Sequence, residues 1–393
     1  MFYVGIGIGK ETHEASTINE QGNLQGQSIR FSNTMTDFQK FLDWLPEEPV
    51  KLAMEATGHY WLPLYDFLKS KDFKITVLNP LQTEAHRRGK IRKTKTDKRD
   101  SLIIADLLRT RVINPSYVPD EWIHQLREIT RFRFGLIDTM SDLKRQILCI
   151  LDKVFPEFEK LFSSPFLKSA RVLLKEGTMP EELAEMDLSE LSQVLSTSSH
   201  GHFGIQKAQT IKSTAAASVG VSYLKDSAKV QLRCLLAHLE FLQSQIEEVD
   251  EHIRQLMAQK ENFLTTIPGI NQVLAATITA EIGDINRFDS PAKLAAFAGI
   301  DPTVFNSGKF TGTKMVMSKR GSPYLRRALW IASATARRFD PELAAFYQRK
   351  LAEGKHPNTA LGAVCHRLLN RVYSIVKEQR PYQPKTGGSI DFS

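Results

Sequence analysis

Apolar residues with β-branched members run or alternate over residues 2–8, and two further short stretches, 15–18 and 24–31, have the same strand character. The turn-forming run Asn19-Glu20-Gln21-Gly22-Asn23 separates the last two, which predicts a three-stranded meander. The apolar spacing then becomes helical at Phe38, Phe41, Leu42 and Leu45, and Pro46 stops it. A strand is predicted at residues 50–55, a helix over Leu62, Leu64, Phe67 and Leu68, and a strand at residues 74–78.

Three strands, helix, strand, helix, strand is the order of an RNase H-like fold, so an α/β domain is expected over residues 1–117. From about residue 120 the apolar period alternates between three and four. Leu126, Ile129, Leu136, Met140, Leu143, Ile147, Ile150 and Val154 form one seam, with Arg133 in the one seat that breaks it. Leu232, Leu235, Leu239, Leu242, Ile246, Val249, Ile253 and Leu256 form a second without a break. Two long coiled-coil helices follow from this, paired either with each other or with a partner chain. Between them, residues 156–225 are broken by Ser163-Ser164-Pro165, Gly177, Pro180 and the loop from Ser196 to His202. His200 and His202 sit in that loop with no cysteine or carboxylate at ligand spacing, and are not taken as metal ligands. The expected organisation is an α/β domain at 1–117, a helical middle region at 118–260 with the insertion 156–225, a mostly helical C-terminal domain at 261–380, and a tail at 381–393.

Two places carry candidate chemistry. Asp97 and Asp100 lie three residues apart in the most basic stretch of the chain, His86 to Asp100, and a helix capped by Thr96 would put both carboxylates on one face near its N-terminus. That arrangement suits a divalent cation at a phosphate. In the C-terminal region, Thr266-Ile267-Pro268-Gly269-Ile270-Asn271 ahead of a helical run is similar to the turn of a helix-hairpin-helix module, whose amides face a phosphate. Then come Ser307 between Asn306 and Gly308-Lys309, and the dense cationic turn Ser318-Lys319-Arg320-Gly321-Ser322. A Gly-flanked serine beside a lysine, followed by such a turn, fits a phosphodiester pocket.

Composition narrows the partners. The 393 residues carry a formal net charge of +8, with the cations clustered, and a hydrophobic fraction of 42%, ordinary for a globular protein. The field favours polyanions, nucleic acid first. No apolar run reaches the length of a spanning helix, so membrane association is not expected. The N-terminus lacks the pattern of a cleaved leader and reads as mature structure. Cys149, Cys234 and Cys365 are far apart within apolar helical patterns, which predicts reduced, buried core thiols.

The motifs together resemble the transposases of the insertion sequence 110 family, more particularly its 1111 branch, which are related to the Piv-type DNA invertases. The resemblance rests on Val4-Gly5-Ile6-Gly7-Ile8-Gly9-Lys10, Met54-Glu55-Ala56-Thr57-Gly58 and Lys95-Thr96-Asp97-Lys98-Arg99-Asp100 at one end. At the other it rests on Ile267-Pro268-Gly269-Ile270, Phe297-Ala298-Gly299-Ile300-Asp301-Pro302, Asn306-Ser307-Gly308-Lys309 and Ser318-Lys319-Arg320-Gly321. It implies a RuvC-like domain with four magnesium-binding acids, written DEDD, and a C-terminal domain with a serine nucleophile. Glu55, Asp97 and Asp100 match the second, third and fourth acids, and Ser307 matches the serine. Gly7 stands where the family has the first aspartate, which implies weakened metal binding and impaired cleavage unless Glu11 or Asp106 substitutes.

The resemblance further implies a non-coding bridge RNA that pairs with donor and target DNA, a homo-oligomer that is a dimer at least and a tetramer in synapsis, and a place in the bacterial cytoplasm with the nucleoid. Arg87, Arg88, Lys90, Arg92 and Lys93, with Lys309, Lys319, Arg320, Arg326 and Arg327, are the expected phosphate contacts. The competing readings are a Holliday-junction resolvase-like nuclease and a non-catalytic nucleic-acid-binding protein. A covalent protein–DNA adduct separates the recombinase from the nuclease, and metal-dependent cleavage, or its absence after repair of Gly7, discriminates the binding protein.

Overall fold

The computed structural model describes residues 1–88, 97–111, 115–175, 179–302, 306–307, 310–311 and 317–384. It divides into two compact units, Met1–Val118 and Pro119–Ser393.

Unit one is a mixed α/β sheet. Strands β1 (Phe2–Gly7), β2 (Thr12–Ile18), β3 (Leu24–Ser32), β4 (Val50–Glu55) and β5 (Ile75–Leu78) lie in the order β3-β2-β1-β4-β5. The first three are antiparallel; β4 and β5 run parallel to β1, which lies at the middle of the sheet. Strand alternation decides the faces. Val4, Ile6 and Ile8 with Leu52 and Met54 join Phe38 and Phe41 of helix α1 (Met35–Trp44) and Leu64, Phe67 and Leu68 of α2 (Leu62–Ser70). On the other face, Ala53 and Leu78 pack with Ile103, Ile104, Leu107 and Leu108 of α4 (Asp97–Thr110), which is preceded by α3 (Pro80–Arg88). Gly5 faces α4 at such close range that a Cβ there would lie 2.1 Å from Ser101 O and 2.3 Å from Ala105 N. Beside it the hydroxyls of Ser16 and Ser101 meet at 2.7 Å. The strand and helix order matches the expectation, with the addition of α3, which the basic character of its residues had hidden.

Among its described residues, unit two is helical apart from a short ribbon and an isolated bridge. Its long helices α5 (Glu121–Val154) and α11 (Lys225–Met257) flank the short helices α6 (Phe158–Leu161), α7 (Lys168–Lys175), α8 (Pro180–Glu185), α9 (Leu188–Ser198) and α10 (Ile205–Ala216). Then follow α12 (Gln272–Ile282), α13 (Pro291–Ala298), the ribbon strands β6 (Asn306–Ser307) and β7 (Phe310–Thr311), α14 (Pro323–Phe339), α15 (Pro341–Ala352) and α16 (Pro357–Glu378). Helices α5 and α11 pair antiparallel within the chain. Trp122 Nε1, near the start of α5, donates to Leu256 O, near the end of α11, at 2.9 Å. Farther along, Arg133 forms a two-pronged ion pair with Asp250, Nη2 to Oδ2 at 3.0 Å. The seat that breaks the first seam is thus filled by a cation whose partner comes from the opposite helix. One seam position is corrected: Leu236, not Leu235, is buried in α11, four residues after Leu232 and three before Leu239.

The cysteines depart from expectation too. Cys365 is buried, but Cys149 and Cys234 are exposed, each beside the apolar seam of its helix, next to Ile150 and two residues from Leu232. Burial pushes the Cys365 thiol up to about 11. Since thiolates are the reactive species, a chromogenic disulfide reagent at pH 8 should titrate two thiols in the native chain and the third only on unfolding. Three fast thiols, or one, would contradict the packing of α5, α11 and α16. No described helix is long and apolar enough to cross a membrane.

Candidate functional site

The parallel register of β1 and β4 pairs Ile6 with Met54, so the next residues, Gly7 and Glu55, are neighbours at the carboxyl ends of adjacent strands. Both point to the face that α4 covers. Helix α4 begins at Asp97, with Asp97 and Asp100 in its first turn, where the helix dipole favours negative charge. Gly7, Glu55, Asp97 and Asp100 line one cavity of about 460 Å³. The expected grouping of the three acids with Gly7 is therefore what the fold assembles. Of the alternatives for the missing acid, Glu11 does not line the cavity, and Asp106 is held by Arg109 at 2.6 Å.

Glu55 is oriented by two hydroxyls. Thr83 Oγ1, on a residue 1% exposed, lies 2.7 Å from Glu55 Oε2, and Thr57 Oγ1 lies 3.3 Å from Oε1. Thr83 Oγ1 is also 2.8 Å from Pro80 O, which anchors that hydroxyl to the start of α3. Sequence reasoning missed Thr83 and a further carboxylate, Glu84, which lines the same cavity. Among the described residues the lining carries four carboxylates and no cation.

That donor set, carboxylate and hydroxyl oxygen only, suits a hard divalent cation such as magnesium. Among the described residues no three His, Cys, Asp or Glu side chains converge at ligating distance. A Cβ at Gly7 would meet Asp97 O at 3.5 Å, Glu14 O at 3.6 Å and Ser101 N at 3.8 Å, all ordinary contacts. At Gly5 and Gly9 the closest approaches would be 2.1 and 2.4 Å, to backbone oxygens. Packing requires glycine at those two positions and leaves room for a side chain at Gly7.

Ser307 closes β6 and pairs with Phe310 of β7, and Asn306 pairs with Thr311. This ribbon lies between Pro302 and Met317, which pair as an isolated antiparallel bridge. Just outside the bridge, Ser318 N donates to Asp301 O at 2.9 Å, the Ser318 hydroxyl donates to Asp301 Oδ1, and Lys319 N donates to Gly299 O at 3.0 Å. The two glycines here serve close approach. A Cβ at Gly299 would lie 2.1 Å from Arg320 O, and one at Gly321 would lie 2.0 Å from Phe297 O. Gly299 has φ +68° and Gly321 φ +90°, conformations that also favour glycine.

The remaining predicted residues fall in several places. Lys319 and Arg320 are exposed on this turn. Arg326 donates to Ala298 O at 3.0 Å, and Arg327 holds Asp138 with two bonds of 2.9 and 2.6 Å. Arg87 and Arg88 end α3, but their side chains lie outside the described residues, as do Lys90, Arg92, Lys93, Thr96 and Lys309. The Pro268-Gly269 turn packs inward: a Cβ at Gly269 would lie 2.6 Å from Ala336 N and 2.7 Å from Ala332 O, both on α14. Asn271 caps α12, its side chain accepting from Leu274 N at 2.9 Å. His200 and His202 are exposed in their loop.

The acid-lined cavity belongs to unit one and the β6–β7 ribbon to unit two. Residues 4–156 match the DEDD transposase profile of the IS110 group, and residues 261–348 match the profile described as Transposase IS116/IS110/IS902 family. The chain belongs to the IS110/IS116/IS902 family of transposases. It is 25% identical to an uncharacterized 44.8 kDa protein of insertion element IS116 from Streptomyces clavuligerus, over 97% of this chain and 96% of that one. It is 23% identical to the pilin gene-inverting protein of Moraxella bovis, over 98% of both. A transposase for IS1111A from Coxiella burnetii is 25% identical over 39% of this chain and 43% of its own length.

Proposed function

We propose that the chain is an RNA-guided DNA recombinase of this family, which cuts and exchanges strands through Ser307 and an acidic site of RNase H-like type, and that Gly7 impairs the acidic site. The observation that supports this most is the cavity that gathers Glu55, Asp97 and Asp100 around Gly7, the glycine of its strand with room for a side chain. The sheet order, with a central β1 flanked by an antiparallel β2 and a parallel β4, is consistent with an RNase H-like core. The Moraxella relative is named for inverting a gene, and rearrangement of DNA is carried to this chain in that sense.

In this reading the Ser307 oxygen attacks a phosphodiester phosphorus, a new P–O bond forms, and one deoxyribose oxygen leaves as an alcohol. The phosphoserine link keeps the bond energy, so attack by another strand's hydroxyl rejoins DNA and returns the serine. Exposed Lys319 and Arg320 hold backbone phosphate near this exchange. Glu55, Asp97 and Asp100 would hold magnesium, which when bound stabilises charge developing on phosphate oxygens. Thr83 and Thr57 keep Glu55 turned toward the cavity.

The partners follow from the same reading: a bridge RNA that chooses sites by base pairing, donor and target DNA, and further copies of this chain, two at least and four in synapsis. Sequencing the RNA that co-purifies with the protein tests the guide. One discrete RNA species is expected, and recovery of only a host RNA mixture would remove the guide from the proposal.

A further inference from the structure

Glu281, the penultimate residue of α12, is 2% exposed, and its carboxylate is held by one partner on α5 and another that caps α14. Arg131 of α5 donates from Nε to Oε1 at 2.7 Å and from Nη2 to Oε2 at 3.0 Å. The Ser322 hydroxyl donates to Oε2 at 2.7 Å. Burying a charge in this way is a costly means of filling space, because an apolar side chain would pack there without desolvation. The arrangement gives direction instead.

Ser322 is the residue it directs. Its hydroxyl caps α14 by accepting from Leu325 N at 3.1 Å, and its amide donates to Phe297 O at 2.9 Å. The turn before it is tied at the other end by Lys319 N to Gly299 O. Lys319, at φ +52°, and Arg320 therefore stand on a turn fixed at both ends, and they are exposed. Arg131 is fixed in turn, with its guanidinium carbon 4.8 Å from the centre of the Tyr324 ring, while Arg127, one turn back, donates to Ala280 O at 3.0 and 2.8 Å. Two arginines of α5 thus meet the C-terminal end of α12, where the helix dipole favours cations.

We propose that Glu281 is a positioning residue: through Ser322, and braced by Arg131, it presets the Lys319–Arg320 turn to receive a nucleic-acid phosphate at the foot of the Ser307 ribbon. A preset turn binds without the entropy cost of ordering two long cationic side chains and their backbone. This rests on the reading of Lys319 and Arg320 as phosphate contacts, and the test separates the two.

The test measures binding of the full chain to a labelled random-sequence duplex between 50 and 200 mM salt. The double variant Lys319→Ala, Arg320→Ala should lower the slope of log affinity against log salt by about 1.8, two phosphate contacts at about 0.9 each. Glu281→Gln and Ser322→Ala should each weaken binding roughly tenfold at low salt and bring the slope toward that of the double variant. Ser322→Thr, which keeps the hydroxyl, should restore both. Adding Ser322→Ala to the double variant should change nothing further, whereas a general loss of packing would lower melting temperature without this non-additivity. If Glu281→Gln does not fold, Ser322→Ala carries the test, since it leaves the Arg131–Glu281 pair in place. Parent-like affinity and slope in Ser322→Ala and Glu281→Gln, beside a loss in the double variant, would overturn the role of Glu281. An unchanged slope in the double variant would overturn the phosphate reading of the turn, and Glu281's role with it.

Discussion

Gly7→Asp is expected to raise magnesium-dependent strand exchange by on the order of 10²–10³-fold, the rate equivalent of about 3–4 kcal/mol in a metal-assisted transition state. The expectation is geometric first. The backbone at Gly7 accepts a Cβ at 3.5 Å or more from its neighbours, and alternation along β1 aims that side chain to the face shared with Glu55 and α4. The new carboxylate would enter a cavity already lined by Glu55, Glu84, Asp97 and Asp100. Without a cation the added charge repels its neighbours, so the variant should melt lower than the parent in chelator. With magnesium it should melt higher, because ligand binding to the folded state alone stabilises it. The pair of melting curves reports metal capture independently of catalysis, and strand exchange reports its use. If neither the magnesium-dependent gain in stability nor that in exchange appears, Gly7 is not the missing ligand position. Gly5→Ala is the control for space: its Cβ would press on the backbone of α4, and overpacking on that scale costs about 3 kcal/mol.

Legibility in the sequence follows the range of the interaction. Strand β4 and the two long helices are written in local periodicity, and they appear where that periodicity places them. Arg133 is visible as a polar residue in an apolar seam, but its partner Asp250 is 117 residues away, and nothing local joins the two. The choice between Leu235 and Leu236 turns on which of two adjacent leucines faces α5, a rotation that adjacent apolar residues leave open. The cysteines were misplaced for the same reason, since a residue beside a seam shares its apolar neighbourhood without sharing its burial.

The acidic site shows the same division. Asp97 and Asp100 announce themselves by spacing, whereas Thr83 and Glu84 sit in a polar stretch without a period, and only the fold of α3 beside β4 brings them to Glu55. Glu281 is a lone carboxylate in an apolar helix, and its meaning lies in Arg131 and Ser322, 150 and 41 residues away. The motif glycines were legible as motifs but not as packing. Gly269, Gly299 and Gly321 each stand where backbone from another segment leaves no space for a Cβ.

Ser307→Ala, placed in the Gly7→Asp chain so that chemistry can be observed, is expected to abolish covalent protein–DNA adducts. A hydroxyl is a weak nucleophile until its developing charge is stabilised, so the serine's surroundings matter as much as its presence. Ser307 lies on a ribbon whose foot is closed by the Pro302–Met317 bridge and the Asp301–Ser318 pair, which fixes where the strand emerges. Loss of the hydroxyl removes the proposed nucleophile and leaves those backbone and Asp301–Ser318 contacts in place. DNA affinity and folding stability should therefore stay within about 0.5 kcal/mol of the Gly7→Asp parent. Denaturing gels of labelled DNA after incubation in magnesium separate the outcomes. A retarded band in the parent that disappears in Ser307→Ala identifies the attacking oxygen. A band that survives assigns the link to another residue. Cleaved DNA without any retarded band in the parent would instead indicate hydrolysis by the acidic site alone, the behaviour of a resolvase-like nuclease, and would leave the ribbon without a chemical role.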